Sequence, residues 1–111
     1  NHRVQELKFD GTLTFTRKWG RNGGDGSSGA GAGEFDEPGG VAVGDDGRVF
    51  VADSGNNRIQ VFTADGGHLG AWGSFGTGEG EFAFPTGVAT RGRVAYVAGG
   101  QQHRIQWFQL V

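Results

Sequence analysis

Asp53 and Arg58 are the two residues of this chain best spaced for chemistry. A carboxylate follows the apolar run Arg48–Ala52, a guanidinium opens the run Arg58–Phe62, and the four turn residues Ser54–Asn57 separate them. Across such a turn the two can meet, and a charge-assisted hydrogen bond between them would hold the turn and orient the second run. The alternative chemistry makes Arg58 an anchor for an anion. The same arginine recurs as Arg3 and Arg104, each inside a similar N/Q-H-R-V/I-Q string. A residue that recurs with a repeated element serves that element, so the structural pairing is the reading adopted.

The other reactive types do not add up to a catalytic set. His2 and His103 stand where the middle string has Asn57, and His68 opens a different run. Histidines in separate repeat units diverge, whereas zinc needs three or four converging ligands. With no cysteine, thiol catalysis and thiolate zinc sites are excluded. Asp45-Asp46-Gly47 resembles the start of a calcium loop but lacks the alternating oxygen ligands and closing Glu. The glycine-rich stretches Gly23–Gly26 and Gly76–Gly80 lack the Lys-Ser/Thr ending of a phosphate loop, and no nucleophile-turn signature is present. The expectation is a protein with no enzymatic activity, no catalytic residue, no metal and no cofactor.

Composition narrows the partners. Ten basic and 12 acidic residues give a net charge of −2, without the concentrated Lys/Arg excess of a nucleic-acid surface. No apolar run approaches 18 residues, so neither nucleic acid nor membrane is an expected partner. The compartment is left open. Glycine supplies 24 residues and proline only two, as suits many tight turns between short strands and not collagen.

The elements that must position Asp53 and Arg58 are repeated. Phe35, Pro38 and Val41 pair with Phe82, Pro85 and Val88 at an offset of 47; after a one-residue deletion, Arg58 and Gln60 pair with Arg104 and Gln106 at 46. A period in the mid-forties, built of short β-type runs, is the length of a four-stranded propeller blade. Strands are expected at Arg3–Leu7, Thr12–Trp19, Gly40–Val43, Arg48–Ala52, Arg58–Phe62, His68–Trp72, Val88–Thr90, Arg93–Ala98 and Arg104–Leu110. Gly40–Val43, apolar without alternation, reads as an innermost strand buried on both faces. Trp19 and Trp72 take equivalent fourth-strand positions and are expected between blades, with Trp107 as a packing variant.

The string G-x-F-x-x-P-x-G-V-A-V followed by V-F-V-A-D-S-G-N-N-R-I-Q-V-F resembles the NHL repeat family. Phe35, Pro38, Val41–Val43, Val51–Asp53, Asn56–Phe62 and Trp72-Gly73 carry the likeness. The resemblance implies an all-β fold of four-stranded antiparallel blades from an NHL-type β-propeller, most often six-bladed, with about two blades in this chain. The second copy departs from the pattern at Gly99 and Gly100, which stand where the first has Asp53 and Ser54. Such proteins include protein-binding modules, RNA-binding domains and, in a related propeller, a metal-dependent lyase of peptide amidation. The fold does not choose among them.

The organisation follows. Residues 1–19 give the third and fourth strands of a partial blade, 20–34 a glycine-rich loop whose stretch Gly23–Gly33 reads as flexible, 35–73 a complete repeat, and 74–111 a second repeat without its fourth strand. The second-to-third turns and the blade connections should share one face. That face gathers Arg21, Asn56, Asn57, Phe75, Gln101 and Gln102 as candidate contacts for a protein or peptide ligand. Two blades leave exposed edges, so self-association is expected, with a homotrimer as the candidate assembly, unless further blades come from a longer parent chain. The expected role is a non-catalytic binding or assembly module; the alternatives are a lyase-like propeller fragment and an RNA-binding domain.

Overall fold

The computed structural model describes residues 1–110. Among these residues nine strands follow one another: β1 (Arg3–Phe9), β2 (Leu13–Gly20), β3 (Pro38–Val43), β4 (Val49–Asp53), β5 (Arg58–Phe62), β6 (His68–Trp72), β7 (Gly87–Arg91), β8 (Val94–Ala98) and β9 (Ile105–Gln109). They form three antiparallel meanders, β1-β2, β3-β4-β5-β6 and β7-β8-β9. The fold is all-β, with sheets in the strand order of partial propeller blades. Tight turns join the strands because the loop residues accept them. Gly47 takes a φ of 86° after Asp45-Asp46, and Asp46 accepts the Arg48 amide at 3.1 Å.

The sheets lie face to face in chain order, and the alternation of side chains along β4 shows it. Val49 and Val51 pack with Phe35 and Phe62 toward Val4 and Trp19 of the first sheet. Phe50 and Ala52 pack with Ile59, Val61 and Trp72 toward Phe82, Ala95, Val97 and Phe108 of the third. All five residues of β4 are buried, because both faces of the sheet are covered at this strand. Trp19 stacks obliquely on Phe62 at 5.8 Å and Trp72 on Phe108 at 5.4 Å, so both tryptophans fill seams between sheets.

Two expectations change. Gly40–Val43 is not buried on both faces: Val41 and Val43 are 57% and 63% exposed. They pair with Val51 and Val49 and share the face turned toward the first sheet. That sheet has only strands in third and fourth positions, so among the described residues nothing covers the inner strand there. Trp107 is likewise exposed, on the outer face of the third sheet beside Tyr96 and Ile105. The first sheet has an outer apolar face too. A bulge after Glu6 sets the register so that Leu7 opposes Phe15 and Phe9 opposes Leu13, all four exposed.

Candidate functional site

Asp53 closes β4 and Arg58 opens β5, with the 3-10 turn Ser54–Asn56 between them. Asn57 ends that turn at a φ of 55°, a conformation that asparagine tolerates better than most residues. The Asp53 carboxylate is fully buried. Its Oδ1 accepts the Asp36 amide at 2.8 Å; its Oδ2 accepts Arg58 Nε at 2.8 Å and the side-chain amides of Asn56 and Gln60, both at 3.0 Å. A buried carboxylate needs such donors to be tolerated at all.

The partners of Asp53 reach onward to the loop before Phe35. Arg58 donates to the carbonyls of Ala30, Gly31 and Glu34 at 3.1, 2.8 and 3.0 Å. Gln60 donates to Glu34 O at 2.7 Å and accepts the Gly33 amide at 2.9 Å, while Asn56 donates to Gly29 O at 2.8 Å. The Glu34 carboxylate accepts the Gly31 amide at 3.0 Å, so the loop is folded on itself as well. Residues 29–34 are therefore a pinned loop, against the reading of Gly23–Gly33 as a flexible one. The extra residues lie before Gly29, where Asp25 gathers Asn22 and Ser27. Hydrogen bonds from the Ser27 hydroxyl and amide and from Asn22 hold the Asp25 carboxyl at about 2.

The second copy repeats this clasp without the carboxylate. Arg104 donates to Gly78 O and Glu81 O at 2.7 and 3.2 Å, and Gln106 to Glu81 O at 2.9 Å. Gln102 donates to Gly76 O, as Asn56 does to Gly29 O, and Glu81 accepts the Gly78 amide. Gly99 stands in the place of Asp53, and Arg104 Nε is buried with no partner among the described residues. The shared backbone needs small residues: a methyl group at Gly29 or Gly76 would lie 2.3 Å from the neighbouring glutamate oxygen. The pattern G-x-G-x-G-E-F, present at Gly29–Phe35 and Gly76–Phe82, carries this loop and was readable in the sequence.

The arrangement suits holding loops. Asp53 is sealed from solvent and its oxygens are occupied by donors of the same chain. Among the described residues no three His, Cys, Asp or Glu side chains are grouped to hold a metal ion, and no helix is long and apolar enough to cross a membrane. Of the six candidate contacts, Asn56, Asn57 and Gln102 are engaged within the chain. Arg21, Phe75 and Gln101 are exposed; Arg21 bonds Ser28 O at 2.7 Å, and Phe75 is 73% exposed.

Residues 35–62, which run from the first buried phenylalanine through the Asp53 clasp to the end of β5, match the family model of the NHL repeat. The chain carries an NHL repeat. No curated protein matches the chain. The equivalent bonds around Arg104 make the second unit a structural copy of this NHL repeat, altered at the one buried carboxylate.

That alteration separates the two arginines in energy. Arg58→Met would strand the buried Asp53 charge and should cost about 3–5 kcal/mol. Arg104→Met loses bonds to carbonyls only and should cost about 1–2 kcal/mol. Urea midpoints at one protein concentration measure the difference; equal losses would remove Asp53 as its source.

Proposed function

We propose that this chain is a non-catalytic NHL-type propeller module that assembles with further blades through its outer sheet faces. One observation carries the reading. The outer face of the third sheet presents Tyr96, Ala98, Ile105 and Trp107, which correspond position for position to Phe50, Ala52, Ile59 and Val61 of the second sheet. The latter four are buried against the next sheet, whereas Tyr96, Ile105 and Trp107 are 42%, 65% and 64% exposed. A face built like a seam and left uncovered suits a further blade.

The further blades come from copies of this chain or from a longer polypeptide. A ring of three copies that shares one blade per junction would give six blades. It must place β1–β2 of one copy beside β7–β8 of the next, and β1 and β9 both occupy third positions in their own sheets. One of them has to leave its sheet for that ring to close. Light scattering is expected to show a discrete assembly, three copies for the shared ring; a monomer at micromolar concentration would refute self-assembly. With a net charge of −2 the chain is expected to show no salt-sensitive RNA binding, and RNA affinity that collapses with salt would favour the nucleic-acid reading instead.

A further inference from the structure

A shallow, open groove of about 440 Å³ lies on the outer side of the third sheet, lined by Thr86, Ala98, Gly99, Gly100, His103 and Arg104, with Ile105 at its edge. One sheet earlier the corresponding positions are Gly39, Ala52, Asp53, Ser54, Asn57, Arg58 and Ile59. There the place is taken by the segment Phe82–Thr86 of the following repeat, which turns through a left-handed residue, Phe84, at a φ of 57°. Asn57 Oδ1 accepts the Phe84 amide at 2.7 Å, the Ser54 hydroxyl donates to Pro85 O, and Phe82 is fully buried in the seam. One sheet earlier again, His2 Nδ1 accepts the Glu37 amide at 2.8 Å, two residues beyond the fully buried Phe35. The two junctions use the same contact: the side chain before the repeated arginine accepts the amide two residues after the phenylalanine.

His103 is the third residue in that series. It is exposed, and its φ of 53° matches 47° at His2 and 55° at Asn57. His2 shows that an imidazole can do what Asn57 does. We infer that this groove is a docking site for the Phe-x-x-Pro segment of a further repeat, with its phenylalanine against Ile105 and Trp107 and its central amide on His103 Nδ1. This rests on the reading that the chain assembles with further blades, and it names the segment that makes the contact. Within one chain Phe35 and Phe82 fill internal seams, so the occupant is the Phe-x-x-Pro segment of a further repeat. Gly99 and Gly100 replace larger residues at the bottom of the groove, so the occupant's backbone need not match that of Phe82–Thr86 closely.

The test uses the whole chain and a synthetic peptide with the sequence of residues 80–91, GEFAFPTGVATR, titrated by NMR. The amides of Thr86, Ala98, Gly100, His103 and Ile105 are expected to shift with saturable binding. A peptide with alanine for its first phenylalanine should bind about tenfold more weakly, as should the whole chain carrying Ile105→Lys or His103→Ala. Both substitutions fall on exposed side chains and should leave the remaining spectrum unchanged. No shift at these amides up to millimolar peptide, or equal binding of the alanine peptide, would overturn the inference. Light scattering on the same samples separates the two ideas: a discrete assembly that ignores the peptide and is unaffected by Ile105→Lys sinks the docking site alone, whereas a monomer that ignores it sinks both.

Discussion

Asp53→Ala should lower the stability of the chain by about 3–5 kcal/mol, because it removes the one buried charge that neutralises Arg58 and leaves four donors without their acceptor. The 3-10 turn Ser54–Asn56 and the loop 29–34 should loosen together, since Asn56, Arg58 and Gln60 each bridge the carboxylate and that loop. The effect belongs to the pair, and a double substitution shows it. Asp53→Ala with Arg58→Met replaces both charges by apolar groups and should lose less than the sum of the single changes. Urea denaturation at fixed protein concentration is the measurement, because assembly would otherwise add its own concentration dependence. A loss under 1 kcal/mol for Asp53→Ala alone would sink the account.

Much of this fold was legible because each strand is a short apolar run closed by turn residues. Arg58–Phe62 and His68–Trp72 form strands over the same residues that their sequence marks out, between Asn56-Asn57 and Asp65-Gly66 on one side and Gly73 on the other. The Asp53–Arg58 bond was legible too, as two opposite charges flanking a four-residue turn, and it forms at 2.8 Å. What the sequence hid is tertiary. The exposure of Val41 and Val43 depends on which strands the neighbouring sheet contains, and no local pattern reports that. Asn56 and Gln102 look like solvated turn residues, yet each turns inward to a loop 26 or 27 positions earlier in the chain. The pinned loop itself was masked by composition: in Gly23–Gly33 its glycines merge with an insertion of small residues, and only alignment on Glu34 and Glu81 separates them.

Phe82→Ala should be at least as costly as Asp53→Ala, about 3–5 kcal/mol, because the ring is fully buried where two sheets meet. It lies 6.0 Å from the Phe108 ring, within the cluster that holds Phe50, Ile59 and Val97. The site has little freedom to collapse around a smaller side chain. Gly73 approaches so closely that a methyl group there would sit 2.5 Å from the ring, at a φ of 109° that fixes the chain path. The cavity should therefore persist, and its cost should fall on the junction between the second and third sheets. Hydrogen exchange distinguishes this from general destabilisation. The amides of Phe84 and Thr86 should lose protection before those of Val51 and Gln60, which the seam with the first sheet still covers. Phe35→Ala should do the reverse, opening the first sheet away from β4 and β5 while the Phe82 seam stays closed. If the two substitutions gave the same pattern of exchange, the three sheets would be unfolding as one unit, and the seam would not be the element of stability that repeats along this chain.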